Sequence, residues 1–168
     1  MNNSISYIGD VNIKQIHKGI VISDKDVHNA GSDLLFKFLC SALCSNNEAK
    51  NFPHYLDMVA QDVTSNKYVS ILDRRVQIAE RIVISEDNIY KASLQTTIPV
   101  YLIKNKDAVS GTGYELRLYS DGTSTSDNYL ANVTGAALTL DDKDVIVITW
   151  KMYFSNVATS TKEENNGK

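Results

Sequence analysis

The chain has 168 residues, 43% of them hydrophobic and 22% charged, which is the composition of a single globular domain. Its formal net charge is −3 and its basic residues are scattered, whereas binding to nucleic acid without sequence preference needs a concentrated basic surface. No apolar run is long enough to cross a bilayer, and the segment MNNSISYIGD lacks the basic and apolar regions of a signal peptide. We therefore expect no specific nucleic-acid partner, no membrane partner and synthesis in the cytoplasm of the producing cell.

The N-terminal residues 1–31 are interpreted as an extension or arm. Short apolar alternations occur over residues 5–23, with a turn expected at Gly9–Asp10. The residues that follow are mostly polar and lead into the first strong periodic segment. The domain itself is therefore expected to begin at residue 32.

A helix is predicted over residues 32–44. Ser32 suits the N-cap, Asp33 is favourable in the first turn, and the apolar residues recur on one face. A stripe of this kind is typical of a helix packed on a core, with a docking face for another subunit as the alternative. The stripe consists of Leu34, Leu35, Phe38, Leu39, Ala42 and Leu43.

After Pro53 the chain is rich in strand patterns separated by turn residues. Pro99 cannot donate a ladder hydrogen bond, so it is expected at an edge or a bulge. Several strands with turn signals between them favour a mainly β fold, an antiparallel β-sandwich with one short amphipathic helix near the N-terminus. The predicted strands cover residues 55–60, 72–85, 89–103, 114–118 and 129–133.

The longest alternating pattern runs from Val145 to Phe154. One face of this predicted strand is large and apolar, while the other carries Lys151 and Tyr153. We expect the apolar face to lie in the core of a β-sandwich domain over residues 32–156, followed by a polar tail over 157–168. The apolar face consists of Ile146, Ile148, Trp150, Met152 and Phe154.

Cys40 and Cys44 lie four residues apart in the predicted helix, and His54 is a conceivable third metal ligand. No fourth cysteine or histidine follows at the spacing of a structural zinc site. A disulfide between helix positions i and i+4 would need distorted geometry. We interpret the two cysteines as buried free thiols and expect neither a metal nor a cofactor.

No other cluster carries a recognisable catalytic or binding motif. His17, His28 and His54 stand in no nucleophile or metal motif. The acidic run at Asp141, Asp142 and Asp144 lacks the glycine and the later glutamate of a helix–loop–helix calcium site, so a solvated hairpin turn is favoured. The glycine-rich segment 110–113 lacks the lysine and the following helix of a phosphate loop. No catalytic, cofactor-binding or metal-binding residue is assigned, and the chain is not expected to be an enzyme.

The nine tyrosines lie mostly on or beside predicted strands. Tyrosine suits half-exposed positions and interfaces, because its ring packs while its hydroxyl remains hydrogen-bonded. Subunit contact, sugar stacking and simple strand propensity remain open as explanations.

Five segments form a recognisable pattern when they are taken in order. They are GSDLLFKFL at 31–39, the strand 92–103, GYELRLYSDG at 113–122, YLANV at 129–133 and LDDKDVIVITWKMYF at 140–154. This pattern resembles structural proteins of the tailed-bacteriophage virion, including tail, neck and head-associated β-sandwich proteins such as those of crAss-like phages. The resemblance covers residues 31–156 and is better in the C-terminal half. The chain departs from the family pattern at its N-terminal extension and at Arg74–Arg75 in a predicted strand.

The resemblance implies a non-enzymatic subunit that acts in repeated copies in the virion. Its implied partners are copies of itself and other virion proteins, such as portal, neck or tail components. Its position in the particle is left open. The alternative is a host-attachment or carbohydrate-binding β-sandwich module, which two or three exposed aromatic residues around a shallow site would favour.

Overall fold

A computed structural model describes residues 3–29, 53–62, 64–86, 89–111, 113–122 and 129–158. Within these residues, ten strands form two antiparallel sheets, so the fold is mainly β and the predicted sandwich is confirmed. The first sheet has the order β2-β1-β10-β7-β6, and the second has the order β4-β3-β8-β9, with β5 also paired to β3. The strands are β1 Asn3–His17, β2 Ile20–Asn29, β3 Tyr55–Asp62, β4 Lys67–Ser70, β5 Val76–Gln77, β6 Glu80–Glu86, β7 Ile89–Pro99, β8 Tyr114–Tyr119, β9 Ala131–Gly135 and β10 Asp144–Ala158.

Two predicted segments lie outside the described residues. These are the helix over 32–44, which includes Cys40 and Cys44, and the part of the polar tail after Ala158. The described residues of that tail, 157 and 158, are the end of β10 and pair with β1.

Residues 3–29 contain β1 and β2 and belong to the first sheet. They lie within the segment 1–31 that was expected to be an extension or arm. β1 pairs with β10 along its whole length, and β2 pairs with β1. The turn expected at Gly9–Asp10 is wrong, because the apolar alternation continues through Gly9 to the buried Val11 and Ile13. The chain turns instead at Lys18–Gly19, where both residues have positive φ, as a tight two-residue hairpin requires.

The core lies between the inner faces of the two sheets. Trp150 is fully buried and its neighbour Ile148 is 1% exposed, which confirms the core face predicted for the last strand. Alternation along each strand places one set of side chains inside and the other set outside. The fully buried large side chains include Val11, Ile13, Ile98, Ile146, Ile148 and Trp150 from the first sheet and Leu56, Met58, Leu116 and Leu118 from the second.

The segment 72–85 is not one strand. β5 pairs with β3 in the second sheet, whereas β6 pairs with β7 in the first, so the chain crosses between sheets at Ile78–Ala79. The backbone N–H of Ile78 donates to His54 and that of Ala79 donates to Gln95, one bond to each sheet. Ile78 is buried and Ile82 is 44% exposed, although a single strand over 72–85 would place both on one face by alternation.

β7 ends at Pro99 rather than at Ile103. β6 pairs with β7 only as far as Gln95, so Pro99 lies where β7 has a neighbour on one side only, which agrees with the expectation for a proline. A 3-10 helix over Val100–Leu102 and a short helix α1 over Lys106–Gly111 follow, and the sequence pattern indicated neither.

Trp150→Ala is expected to lower the free energy of unfolding by roughly 3–5 kcal/mol, because it leaves a large cavity between the sheets. Denaturant unfolding measures the change. Lys151→Ala is the matched control, since the neighbouring side chain is exposed on the outer face and its removal should cost less than about 0.5 kcal/mol. Equal effects of the two substitutions would contradict the assignment of the core.

Candidate functional site

The outer face of the second sheet carries charged side chains that are buried. Leu116 and Leu118 on β8 point into the core, so Glu115 and Arg117 point outward by alternation. Nevertheless Glu115 is only 6% exposed and Arg117 only 5%. Buried charges are tolerated when they are paired and hydrogen-bonded. These buried charged residues, the partly buried Arg75 and their aromatic neighbour are termed the charged cluster. It consists of Asp57, Arg75, Glu115, Arg117 and Tyr119.

One half of the charged cluster is centred on Arg75. Its guanidinium carbon lies 3.4 Å from the centroid of the Tyr119 ring, and its Nε lies 3.4 Å from Asp57 Oδ2. It also donates to the backbone carbonyl of Asp121 at 3.0 Å. Asp57 in turn accepts a hydrogen bond from the Ser70 hydroxyl at 2.7 Å. Stacking and hydrogen bonding together hold the Arg75 guanidinium in one orientation against the sheet.

The other half is centred on Arg117. Its Nε and a terminal nitrogen donate to the same oxygen of Glu115 at 3.0 and 2.8 Å, and the Asn132 amide donates to the other oxygen. Burial alone would lower the pKa of Arg117, but hydrogen bonds to Glu115 and Tyr119 raise it above its usual value. Arg117 therefore stays charged, and its guanidinium lies within 5 Å of the rings of Tyr68 and Tyr129.

A groove of about 480 Å³ lies beside the charged cluster. Arg74 and Lys104 line it as exposed cations, together with Tyr68, whose side chain is 49% exposed. Lys104 forms a surface ion pair with Asp73 at 3.3 Å. The groove thus combines cations, carboxylates and an accessible aromatic ring.

The second surface is apolar and lies at the start of the edge strand β2. Ile20 is 69% exposed, Val21 49% and Ile22 55%. The register places Ile20 opposite His17 on β1, and His17 opposite the first residue of β10. Tyr101, 73% exposed, follows the end of β7 at the same rim of the sheet. The three consecutive residues Ile20, Val21 and Ile22 are termed the apolar edge.

A third cluster joins the ends of β1 and β10. Asp144 Oδ1 lies 2.6 Å from Nδ1 of His17, and Asp144 Oδ2 accepts bonds from the Gln15 amide at 2.6 Å and the Asp141 backbone N–H at 2.9 Å. His17, Asp141 and Asp144 offer ligand atoms within 4.8 Å of one another. Both oxygens of Asp144 already accept hydrogen bonds. These bonds connect the start of β10 to β1 and to the turn at Asp141. Asp144 is buried, and its expected place in a solvated turn is wrong, whereas Asp141 and Asp142 are exposed as expected.

The remaining residues singled out in the sequence are dispersed. His28 is exposed and lies 2.6 Å from Asp10, while His54 lies beside Tyr55. The segment 110–113 begins as the end of α1. Among the described tyrosines, Tyr114 and Tyr119 are buried, so neither presents an exposed ring to a partner.

Sequence reasoning missed the charged cluster. The signal was present in GYELRLYS, where glutamate, arginine and tyrosine alternate with tyrosine and leucine on β8. Alternation gives the face of each residue, but the burial of the polar face depends on residues from other strands and turns, which this pattern does not identify.

Asp144→Asn should make the stability of the protein less dependent on pH in acid. Burial alone would raise the pKa of Asp144, but the Asp141 backbone N–H, Gln15 and His17 lower it below the usual value. The stabilisation by this carboxylate is present above the unfolded-state pKa near 4 and is lost as the pH falls through the lower folded-state pKa.

Unfolding curves between about pH 2 and pH 7 measure this effect. At neutral pH we expect Asp144→Asn to cost about 1–3 kcal/mol. The difference between the two proteins should shrink as the pH falls. Asp142→Asn, at an exposed side chain, is the control and should follow the original protein. A cost that is the same at all pH values would contradict the role given to the Asp144 carboxylate.

Comparison with protein families, with functionally characterised proteins and with solved structures gives no match in any of the three. In the part of the chain that the structure describes, no helix has the length and apolar content needed to cross a membrane. The surfaces of the chain itself are therefore the basis for inferring its function.

Proposed function

We propose that the chain is a non-enzymatic structural subunit of a bacteriophage virion, in the tail, the neck or a head-associated position. It acts by binding copies of itself and neighbouring virion proteins such as portal, neck or tail components. The resemblance of residues 31–156 to virion β-sandwich proteins supports this proposal. The apolar edge is the observation that carries it.

The apolar edge is unusual for a free strand edge. Edge strands expose unpaired backbone groups and are generally protected by charges, proline or bulges. The second half of β2 has such protection, with Asp24, Lys25 and Asp26, and Lys25 also reaches the carbonyl of Ala137 at 3.3 Å. The apolar edge lies beside a register shift opposite Gln15–Ile16, but its three residues carry only apolar side chains. This combination favours a strand that another protein covers.

A second copy of this chain is the occupant that the structure favours. Among the described strands, β2 and β6 are the two edges of the first sheet, and both expose apolar side chains, since Ile82 on β6 is 44% exposed. Contact between edges of two copies would bury apolar side chains of both and satisfy backbone groups. Repeated use of one contact gives the closed symmetric assemblies that are common among homo-oligomers.

The alternative function is host attachment through carbohydrate binding. The rings of Tyr68 and Tyr129 beside Arg117 are the observation that favours it, because sugar sites combine aromatic faces with charged hydrogen-bonding groups. The two functions differ in their partner, and they use different faces of the chain. Each can therefore be tested by substitutions that leave the other face unchanged.

The double variant Ile20→Ser/Ile22→Ser is expected to reduce the oligomeric state of the purified protein, because it removes apolar side chains that a second copy would bury. Light scattering coupled to size exclusion measures the mass over a range of concentrations. Val69→Ser is a matched control for an apolar side chain that is also exposed but lies on β4 of the other sheet. An original protein that is monomeric at every concentration, or a double variant of unchanged mass, would contradict the proposed contact.

The place of the chain in a virion is tested on particles of the virus that encodes it. Mass spectrometry of purified particles should find the chain in a fixed ratio to the portal or tail proteins. Its presence in the infected-cell lysate together with its absence from purified particles would contradict the proposal.

A further inference from the structure

The groove beside the charged cluster is lined by the kinds of group that bind small ligands. The proposed contacts of a virion subunit do not involve this groove. We propose that it binds a saccharide carrying a carboxylate, such as a uronic or sialic acid residue. This inference does not depend on the proposed assembly function, since the groove lies on the second sheet and the apolar edge on the first.

The volume of the groove suits one or two sugar rings. Ligand sites on proteins commonly measure roughly 300–1,000 Å³, and this groove measures about 480 Å³. Two of its lining residues, Asp57 on β3 and Arg117 on β8, are almost fully buried. Rigid strands position such groups more accurately than loops do.

The cations on the rim would attract a carboxylate. Arg74 is exposed at the groove, and within the described ranges it forms no ion pair. Lys104 is also exposed, and its pair with Asp73 is a surface contact of the kind that contributes little energy. An arginine guanidinium binds a carboxylate through two parallel hydrogen bonds. These cations stand out locally because the chain as a whole has a net charge of −3.

The other lining groups favour a sugar over inorganic phosphate. Hydroxyl groups of a sugar need hydrogen-bond acceptors as well as donors. The exposed Asp73 carboxylate supplies acceptors, and Arg74 and Lys104 supply donors. A phosphate dianion mainly accepts hydrogen bonds, so it gains nothing from such acceptors. Tyr68 offers a half-exposed ring whose position is supported by the Arg117 guanidinium 4.9 Å away, and the apolar face of a sugar ring can pack on it.

The Arg75 half of the charged cluster is already fixed in position before a ligand binds. The guanidinium of Arg75 is fixed by the Tyr119 ring, by Asp57 and by the carbonyl of Asp121. Asp57 is in turn fixed by Ser70 and Arg75. Binding would therefore order few side chains besides Arg74, Lys104 and Tyr68, which lowers the entropic cost of association.

The test is binding of the full chain to a panel of saccharides, measured by isothermal titration calorimetry. The panel contains oligosaccharides with glucuronate, galacturonate and sialate and the corresponding neutral sugars, together with a hexaglutamate peptide and inorganic phosphate as separate probes. We expect at least one acidic saccharide to bind in a one-to-one ratio and its neutral counterpart to bind at least about tenfold more weakly, because the ion pair with Arg74 is lost.

Substitutions assign the binding to the groove. Arg74→Gln and Tyr68→Ala should each weaken the binding by at least about tenfold, and Tyr68→Phe should retain most of it because the ring is kept. Tyr101→Ala and Lys151→Gln are matched controls for an exposed tyrosine and an exposed lysine on other elements, and they should have no effect. All variants are checked for an unchanged unfolding midpoint.

Three results would overturn the inference. The first is that no acidic saccharide in the panel binds at millimolar concentration. The second is that hexaglutamate or phosphate binds as tightly as the best acidic saccharide, which would indicate a general anion or peptide site. The third is that Arg74→Gln and Tyr68→Ala bind as the original protein does. None of these results bears on the oligomeric state, so the two proposals fail separately.

Discussion

The pairing of β1 with β10 is the interaction on which the rest of the structure depends. These two strands are each fifteen residues long and pair from Asn3–Ala158 to His17–Asp144. They form the centre of the first sheet, and they bring Val11 opposite Trp150, so the largest core side chain is fixed by a contact between distant parts of the sequence. Contacts between residues so far apart in the sequence lose chain entropy when the loop between them closes. The burial of apolar surface offsets this loss.

The same pairing positions both candidate surfaces. It carries β2 to the edge of the first sheet, where the apolar edge is exposed, and it sets the rim at which His17 meets Asp144. The first sheet also forms the wall against which the second sheet packs. The inward leucines of β8 fill that interface, and the polar residues between them are consequently fixed on the outer face, where the charged cluster forms. The proposed assembly contact and the proposed ligand site thus lie on opposite sheets of one sandwich.

Local patterning predicts those features of this fold that depend on one strand at a time. The alternation from Ile146 to Met152 correctly gives a core face, because period-two burial is a property of the strand itself. The crossing at Ile78–Ala79 is not predictable in this way, because the apolar pattern continues through it while the hydrogen-bond partners change from one sheet to the other. Gly135 reads as a turn residue but lies in β9 under the Tyr114 ring, where an added Cβ would come within 2.2 Å of that ring. Whether a ring lies this close to a backbone depends on the register of the two paired strands, here β8 and β9.

The candidate sites were predicted less completely than the fold. Tyrosines and arginines were visible in the sequence, but the stacking of Arg75 on Tyr119 joins residues of different segments, and only the pairing of β3 with β5 and β8 brings them together. The burial of Asp144 likewise depends on Gln15 and His17 at the opposite end of the chain. In both cases the chemistry belongs to contacts between strands, which composition and spacing do not specify.

The central proposal is that another copy covers β2, which is an edge strand among the strands that the structure describes. Hydrogen–deuterium exchange of the backbone amides of Ile20–Asn29, measured at low and at high protein concentration, tests it most directly. We predict that the amides of the apolar edge become more protected as the concentration rises. The amides of β1, which is paired with β2 on one side and with β10 on the other, serve as internal references. Exchange in β2 that is independent of concentration, in a protein whose other strands remain protected, would contradict the claim.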